Sequence, residues 1–260
     1  MSANIILSCN DISIGYQSKN QTNIIGSNIN LSLETGKLIA LVGQNGIGKS
    51  TLLRTLAAIQ KPLSGDVLLN NKNINDYSNL ELSQNLSLVL TEKLPPSNLT
   101  VFEIIALGRQ PYTNWIGKLS DEDLLQINTA IKITNIEHLI HKKHYEISDG
   151  QLQIVLISRA LAQDTPLIIL DEPTTHLDLL HKATLLKLLK KLSSETNKCI
   201  LFSTHDIDLA IQLADEIIVI TPTKIVQDNP NKLIENNVFN DLFDNEFIKF
   251  DIQIGKFIVE

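Results

Sequence analysis

Residues 43–50 read Gly43-Gln44-Asn45-Gly46-Ile47-Gly48-Lys49-Ser50 and match the pattern G-x-x-x-x-G-K-[ST]. The apolar run at residues 38–42 is typical of a strand buried on both faces, and residues 51–58 are rich in helix formers. Glycines let the backbone turn tightly and aim its N–H groups inward, so that together with the positive end of the next helix they form a cavity for an anion. This stretch therefore predicts a phosphate-binding loop. Lys49 would reach the β- and γ-phosphates, and the Ser50 hydroxyl would bind Mg²⁺.

Length and composition predict one globular core, with at most a small appended subdomain. The chain has 260 residues, of which 43% are hydrophobic and 20% charged. No apolar run approaches the roughly 18 residues of a membrane-spanning helix, and the first residues lack the pattern of a secretion signal. Two cysteines far apart in sequence, Cys9 and Cys199, are expected to be buried thiols in a reducing compartment. We therefore expect a cytoplasmic location.

The charge balance argues against a nucleic-acid partner. The net charge is −7 and the isoelectric point is near 5.4. No cluster of Lys or Arg forms a tract that could neutralise many phosphates.

The first part of the chain predicts a small antiparallel sheet. Short apolar runs alternate with Asn- and Gly-containing breaks over about residues 1–35, and residues 65–70 read as a further strand of the same sheet, within a second segment of about residues 60–75. Residues 70–79 are predicted to be a loop. Tyr16 lies in one of the breaks, where it could stack on a nucleotide base or simply end a strand.

The middle of the chain predicts an all-helical insertion over about residues 99–146. Thr100 and Glu103 have the spacing of a capping box, and Ser120 with Asp123 repeats it. The first of these helices is expected to stop at Gly108. From residue 147 onward strands and helices alternate, which predicts a parallel sheet with helices on both faces and a ligand at the carboxyl ends of its strands.

A second group of candidate catalytic residues follows the apolar run at residues 167–170. Asp171 is placed to hold Mg²⁺ opposite Ser50, and Glu172 is placed to orient or deprotonate an attacking water. His205 follows the next predicted strand, where its imidazole could reach the γ-phosphate.

Residues 148–151 predict the start of a helix. A nucleotide-binding site formed within one chain would not need it. Ser148 and Gln151 form a capping box, so free N–H groups and a positive dipole end point outward. Such an end can bind the γ-phosphate of a nucleotide held by a second molecule.

The order of these motifs resembles an ATP-binding cassette (ABC) ATPase over nearly the whole chain. The resemblance is nearest to the ATPase subunits of bacterial importers for iron chelates (siderophores), haem and cobalamin. Residues 100–103, residues 106–112 and residues 171–178 carry this finer likeness. It implies a RecA-like P-loop NTPase core of parallel strands, an antiparallel β subdomain and an inserted helical subdomain, together forming one domain at residues 1–230. Residues 231–260 would be a short extension packed on the core.

The resemblance also implies a role for each matching residue. Tyr16 would stack on adenine, Glu172 would be the catalytic base, and His205 would contact the γ-phosphate together with Lys49. The phosphates and Mg²⁺ would be bound by Gly43, Asn45, Gly46, Gly48, Lys49, Ser50 and Thr51, with Asp171 as a further metal ligand. Ser148, Gly150 and Gln151 would act on the partner's nucleotide in a head-to-tail homodimer, and Asp178 would link the two sites.

Two positions depart from the family pattern. Asp149 stands where the signature usually has glycine. A carboxylate ~6 Å from a phosphate charge would cost about 3 kcal/mol at an effective dielectric constant of ~20, so Asp149 is expected to point away from the nucleotide. Thr91 or Glu92 stands where the family has a glutamine that senses Mg²⁺ and couples to the permease.

These features predict an ATPase at the cytoplasmic face of the inner membrane, with two ATP, Mg²⁺, permease subunits and, indirectly, an external binding protein as ligands and partners. Two other functions are alternatives to this prediction. A soluble ABC ATPase often carries two cassettes or a long basic or coiled-coil insertion, whereas this chain has one cassette, a modest helical insertion and an acidic balance. A GTP-binding switch would need an Asn-Lys-x-Asp motif, which is also absent.

Overall fold

The computed structural model describes residues 4–18, 21–90, 95, 97–175, 177–243, 247–252 and 254–259. The strands are β1 (Ile5–Gln17), β2 (Thr22–Glu34), β3 (Leu38–Gly43), β4 (Ser64–Leu69), β5 (Lys72–Asn73), β6 (Leu86–Val89), β7 (Leu167–Leu170), β8 (Cys199–Ser203), β9 (Glu216–Ile220), β10 (Ile225–Asp228), β11 (Ile248–Asp251) and β12 (Lys256–Val259). The α-helices are α1 (Lys49–Leu56), α2 (Asn79–Asn85), α3 (Val101–Ala106), α4 (Asp121–Thr134), α5 (Asp149–Ala162), α6 (Leu179–Thr196), α7 (Ile207–Leu213) and α8 (Pro230–Glu235).

The central sheet has the strand order β10-β9-β3-β8-β7-β6. All neighbours pair in parallel except β10, which runs antiparallel to β9 at one edge. Every residue of β3, β7 and β8 is buried, as their uninterrupted apolar sequences predict for strands covered on both faces. The parallel sheet expected from the sequence is confirmed. Its three central strands bring residues 43–50, 171–172 and 203–205 to one edge.

The antiparallel sheet has the order β2-β1-β4-β5, and this prediction is also confirmed. The expectation of several short strands is wrong, because β1 and β2 are continuous strands of 13 residues each. The polar residues of the predicted breaks lie within these strands, at places where the pairing register shifts. One such shift lies between Cys9 and Ile12, where Asp11 has a φ of 49°. Cys9 and Cys199 are both buried, as predicted.

The loop predicted at residues 70–79 is wrong in part. It contains β5 and a 3₁₀ turn at Ile74–Asp76, and α2 begins at its end. Ser78 and Glu81 form a complete capping box at the start of α2. Their spacing is the signal that could have located this helix.

Residues 99–146 hold α3, α4 and three 3₁₀ segments, with one isolated bridge between Thr100 and Lys143. The helix expected to stop at Gly108 ends at Ala106 and continues as a 3₁₀ helix, Leu107–Tyr112. A Cβ on Gly108 would lie 2.3 Å from the carbonyl oxygen of Arg159, so glycine here permits close packing on α5.

The C-terminal part of the described chain packs on the main core. It consists of α8, a 3₁₀ helix at Val238–Leu242 and the β11–β12 hairpin. Leu233, Phe239, Leu242 and Phe250 are buried in the cluster that also holds Leu38 and Phe202. Within the described residues, no helix combines the length and the apolar character needed to cross a membrane.

Candidate functional site

The phosphate loop leaves β3 at Gly43 and enters α1 at Lys49. Gly48, the N-cap of α1, has a φ of 111°, and a Cβ there would lie 2.3 Å from the Ile25 side chain. Only glycine fits both the left-handed backbone and the close approach. No side chain in the described part of the chain caps the first turn of α1. Its N–H groups and the positive dipole end are therefore available to an anion.

The Lys49 side chain folds back over this loop. Its Nζ donates to the carbonyl oxygens of Gly43 at 2.9 Å and Gln44 at 3.1 Å, and it lies 3.5 Å from His205 Nδ1. Burial lowers the pKa of Lys49 from its ordinary value, an effect partly offset by the negative charges of Glu172 and Asp171. The ammonium group is thus held by carbonyl dipoles at the place where phosphate oxygens would bind.

A cleft of about 300 Å³ lies over the loop. It is lined by Tyr16, Ile25, Asn45, Gly46, Gly48, Lys49, Ser50, Thr51 and Glu172. The Tyr16 hydroxyl lies 3.1 Å from Thr51 Oγ1, and the Tyr16 side chain is half exposed. The structure therefore brings Tyr16 to the mouth of the cleft, a position that allows stacking on a base.

Asp171 and Glu172 follow β7 and are joined by one buried hydroxyl. Ser203 Oγ donates to Asp171 Oδ1 at 2.7 Å and accepts from the Glu172 backbone N–H at 2.8 Å. The backbone N–H of Asp171 donates to the carbonyl of Val89 at 2.8 Å, which continues the sheet by one bond. The Asp171 carboxylate is almost fully buried, and its position is set by β6, β7 and β8 together.

Glu172 has a φ of 49°, a conformation that non-glycine residues seldom adopt. Such backbone strain costs of order 1–3 kcal/mol and is concentrated at functional sites. Here it turns the side chain toward His205, whose Nε2 lies 2.5 Å from Glu172 Oε1. Thr175 Oγ1 donates to the other carboxylate oxygen at 3.3 Å.

Lys49, His205 and Glu172 form a continuous polar chain across the cleft. With Lys49 donating to Nδ1, a neutral His205 carries its proton on Nε2 and donates it to Glu172. The imidazole therefore connects the phosphate-binding lysine to the candidate base. His205 therefore contacts both of the other residues predicted to be catalytic from separate motifs, Glu172 and Lys49.

A second cavity, of about 880 Å³, holds another group of predicted residues. Ser148, Asp149, Gly150, Gln151 and Asp178 line it, together with apolar side chains of α4, α5 and α6. Ser148 Oγ accepts from the N–H of Gln151 at 3.2 Å, and the Ser148 N–H donates to Gln151 Oε1 at 3.1 Å. The capping box predicted from sequence is therefore formed.

Asp178 is the N-cap of α6. Its Oδ1 accepts from the backbone N–H of His181 at 2.9 Å and lies 2.8 Å from His181 Nδ1. These hydrogen bonds, the backbone one above all, hold the pKa of Asp178 below its ordinary value. Asp178 thus presents an ionised carboxylate beside the start of α5.

The predicted site residues fall into two separate sets. No residue of the described chain lines both the cleft and the cavity. Thr91 and Glu92, predicted to take the place of the glutamine, lie outside the described residues.

Three contributors were missed from sequence. Ile25 lines the cleft, Ser203 joins the two carboxylates, and Thr175 binds Glu172. Gln44, part of the predicted phosphate loop, holds Lys49 through its backbone carbonyl. Ser203 lies two residues before His205, at the end of an apolar strand, so its position beside Asp171 could have been read from the parallel alignment. Ile25 belongs to a different sheet, and nothing local in the sequence marks it.

The chain is similar in sequence and in fold to the proteins of one known family. A sequence profile described as ABC transporter matches residues 26–175. An uncharacterized ABC transporter ATP-binding protein of Methanocaldococcus jannaschii is 38% identical over 97% of this chain and 86% of its own length. The achromobactin transport ATP-binding protein of Dickeya dadantii is 35% identical over 90% of this chain and 86% of its own.

Two solved structures agree. One is assigned to a metal-chelate type ABC transporter in an inward-facing conformation, with a TM-score of 0.79 and 28% identity over 92% of this chain and 89% of that one. The other is a dimeric ATP-binding cassette in a post-hydrolysis state with ADP and phosphate bound, with a TM-score of 0.75 and 28% identity over 86% of this chain and 98% of that one. The chain therefore belongs to the ABC transporter ATP-binding family and is an ATPase.

Proposed function

We propose that two copies of this chain close head to tail around two ATP molecules and so power a membrane importer of iron–siderophore complexes or of the related chelates haem and cobalamin. The observation that carries the proposal is the separation of the two sets of site residues. Among the described residues, none lines both the cleft at the phosphate loop and the cavity at Ser148. In a head-to-tail dimer, a second copy of the chain would bring its Ser148 cavity to the phosphate-loop cleft of the first.

Within each composite site, the contacts described above support a role for each residue. The N–H groups of the loop and Lys49 bind the β- and γ-phosphates, and Tyr16 stacks on the base. Glu172 accepts a proton from the attacking water while the water oxygen bonds to the γ-phosphorus. The bond to the β–γ bridging oxygen then breaks, and ADP and phosphate leave. His205 orients Glu172 before the reaction and contacts the γ-phosphate in the closed site.

Ser50 and Asp171 fit a Mg²⁺ ion. They supply a hydroxyl and a carboxylate, the hard oxygen ligands that Mg²⁺ prefers alongside phosphate oxygens and water. Asp171 Oδ1 is engaged by Ser203, and no other hydrogen bond of the described residues reaches the carboxylate. When bound, Mg²⁺ would neutralise phosphate charge. The same metal role proposed for Thr91 or Glu92 rests on the family pattern alone.

The partner's nucleotide would meet the start of α5. Gly150 presents its N–H group, and the start of α5 its helix dipole, to the γ-phosphate, with Ser148 and Gln151 beside it. Asp178 lies in the same cavity to link the two sites. Asp149 is exposed and lines this cavity. We assign it no contact with the nucleotide.

The importer role is supported by the relatives. Besides the achromobactin protein, an iron(3+)-hydroxamate import ATP-binding protein of Bacillus subtilis is 35% identical over 85% of this chain. We propose that the helical insertion at residues 99–146 passes the closing motion to permease subunits at the cytoplasmic face of the membrane, and that residues 99–112 form the docking groove. Leu107 and Tyr112 leave apolar surface exposed there.

The Glu172→Gln variant tests the composite site. It keeps the size and shape of the side chain but replaces one carboxylate oxygen by an NH₂ group and removes the base, so ATP should hold the dimer closed without being hydrolysed. We expect an ATP-dependent dimer by size-exclusion chromatography and hydrolysis reduced at least ~100-fold. The matched control is Glu195→Gln on the exposed face of α6. Persistent monomers with retained hydrolysis would overturn the assignment.

Coupling to a permease needs a separate test. Affinity-tagged chain expressed in its own host should fractionate with membranes and copurify with integral membrane proteins, and loss of its gene should abolish uptake of a labelled ferric siderophore. A chain found entirely in the soluble fraction, with uptake unchanged, would favour the soluble ATPase alternative.

A further inference from the structure

A hydrogen bond joins the phosphate loop to the C-terminal segment. Gln44 Nε2 donates to the carbonyl oxygen of Leu242 at 2.6 Å, across 198 residues of sequence. Gln44 occupies a variable position of the loop motif, and the motif itself demands no particular side chain there. This contact therefore belongs to the individual chain rather than to phosphate binding in general.

The acceptor carbonyl is held firmly from its own side. Leu242 ends the 3₁₀ helix Val238–Leu242, whose side chains Val238, Phe239 and Leu242 are buried in the main core. The Phe239 and Phe250 rings lie 5.0 Å apart, and the N–H of Phe250 donates to Asn240 Oδ1 at 2.9 Å. The position of this carbonyl is thus fixed by packing.

The other end of Gln44 reaches the reacting groups. Its backbone carbonyl accepts from Lys49 Nζ at 3.1 Å, and Lys49 Nζ lies 3.5 Å from His205 Nδ1. One residue therefore ties its side chain to the C-terminal segment and its main chain to the lysine of the phosphate loop. Half-burial of Gln44 strengthens both bonds relative to an exposed loop.

We propose that Gln44 is a positioning residue and that the 3₁₀ helix at residues 238–242 is energetically coupled to ATP binding through it. The helix fixes the Leu242 carbonyl, the carbonyl orients Gln44, and Gln44 sets the carbonyl that holds Lys49. Coupling of this kind is reciprocal. Bound nucleotide therefore protects the C-terminal segment from opening, and a partner that displaces the segment weakens nucleotide binding. The proposal concerns ATP binding alone and holds for any transported cargo.

The test uses the full chain with Gln44→Glu, which keeps the side-chain size but loses the N–H donor and faces a carboxylate to a carbonyl oxygen. We expect KM for ATP to rise about 5- to 10-fold with kcat within about 2-fold, since one hydrogen bond to a main-chain carbonyl is lost. Amide hydrogen exchange at residues 238–243 should slow when ATP binds the wild type, and it should be faster in the variant. Lowering the pH should restore affinity as the carboxyl group regains a proton to donate.

Gln212→Glu is the matched control, with the same change of charge on the exposed face of α7. It should leave KM and exchange at residues 238–243 unchanged. If Gln44→Glu does not fold, Gln44→Ala removes the donor without adding a charge and is read in the same way. Unchanged ATP affinity would overturn the proposal, and so would a loss of affinity with exchange at residues 238–243 unaltered by either nucleotide or substitution.

Discussion

Ser203 shows how much of the ATP site depends on a single buried hydroxyl group. It donates to Asp171 and accepts from the Glu172 N–H, so it holds a candidate metal ligand and the strained backbone of the candidate base at once. A serine at the end of a buried strand is polar enough to make both bonds and small enough to fit among β7 and β8. The geometry of the two carboxylates is therefore not set by their own loop.

We predict that Ser203→Ala lowers both stability and turnover. The Glu172 N–H loses its acceptor and the Asp171 carboxylate loses a donor, which should cost about 1–3 kcal/mol in the free energy of unfolding. The ATPase kcat should fall at least ~10-fold, because both carboxylates lose their fixed positions. Urea unfolding and steady-state hydrolysis measure the two effects.

The control is Ser193→Ala, an equally buried serine whose hydroxyl donates only to Lys190 O within its own helix. Its substitution should cost less than about 1 kcal/mol and leave kcat unchanged. Equal effects of the two substitutions would contradict the role given to Ser203.

Among the helices, two capping boxes allow the structural and functional parts of α5 to be separated. Ser148 with Gln151 caps α5, Ser78 with Glu81 caps α2, and in each box the serine Oγ accepts an N–H at 3.2 Å. Both serines are exposed. Only Ser148 lines the large cavity with Asp178.

We predict that Ser148→Ala and Ser78→Ala destabilise the fold by a similar amount, about 1 kcal/mol each, through loss of an N-cap. Ser148→Ala alone should also weaken ATP-driven dimerisation of the Glu172→Gln chain. Dimer fractions at increasing ATP concentration provide the measurement. Identical dimerisation of the two variants would remove Ser148 from the nucleotide interface.

The Arg109–Asp123 ion pair joins the 3₁₀ helix Leu107–Tyr112 and α4 of the helical insertion to α5. Arg109 Nε donates to Asp123 Oδ1 at 2.8 Å, Arg109 also donates to the carbonyl of Ala162 at 3.0 Å, and both side chains are buried. Burial opposes ionisation of Asp123, but hydrogen bonds from Ser120 and Arg109 outweigh it and hold the pKa of Asp123 below its ordinary value.

We predict that Arg109→Met costs about 3 kcal/mol in the free energy of unfolding, because it leaves a buried carboxylate unpaired. Arg109→Met combined with Asp123→Asn should recover part of this loss. Lys191→Met, which breaks the exposed pair with Glu195, should cost less than about 1 kcal/mol. Urea unfolding of all four proteins tests the ranking.

The same pair predicts a pH dependence. A carboxyl group with a lowered pKa in the folded state contributes its full stability above the unfolded value of about 3.9 and loses it as the pH falls through the folded pKa. The stability difference between wild type and Asp123→Asn should therefore be constant near neutral pH and shrink below about pH 4. A difference that grows in acid would reverse the assignment.

How far these elements follow from the sequence depends on whether the deciding interaction is local. β3 and β7 carry unbroken apolar runs, and α5 carries its capping box, so their identity and even their ends could be predicted. The long β1 strand could not, because the bulge at Asp11 absorbs a polar break only when β2 and β4 pair beside it. For the same reason Ile25 was missed as a site residue, since it approaches the phosphate loop from another sheet. Ser203 could have been placed beside Asp171 from the parallel alignment of β7 and β8.

At the scale of the whole molecule, the two sets of site residues are the strongest constraint on how the chain works. A cleft with Lys49, Glu172 and His205 has the groups for phosphate binding and proton transfer, whereas the cavity with Ser148 and Asp178 has a helix start facing outward. If a partner chain completes the cleft, a chain with a substitution in one set should form an intact site with a chain that has a substitution in the other set.

We predict that mixing Lys49→Ala chains with Ser148→Arg chains restores hydrolysis that neither has alone. Lys49→Ala spoils the phosphate loop and Ser148→Arg blocks the helix start, so each homodimer has two broken sites. In an equal mixture about half of the dimers contain both chains, and each of those has one intact site made from the loop of one chain and the α5 start of the other. Hydrolysis should rise to at most about one quarter of the wild-type rate per chain if the single site turns over independently.

The matched control mixes Ser148→Arg chains with chains carrying both substitutions, because those mixed dimers cannot contain an intact site. Subunit exchange is monitored in both mixtures by native mass spectrometry with tags of different mass. Recovery in the first mixture and not in the second supports a shared site. Activity in either variant alone, or equal rates in the two mixtures despite exchange, would mean that a single chain holds the complete ATPase site.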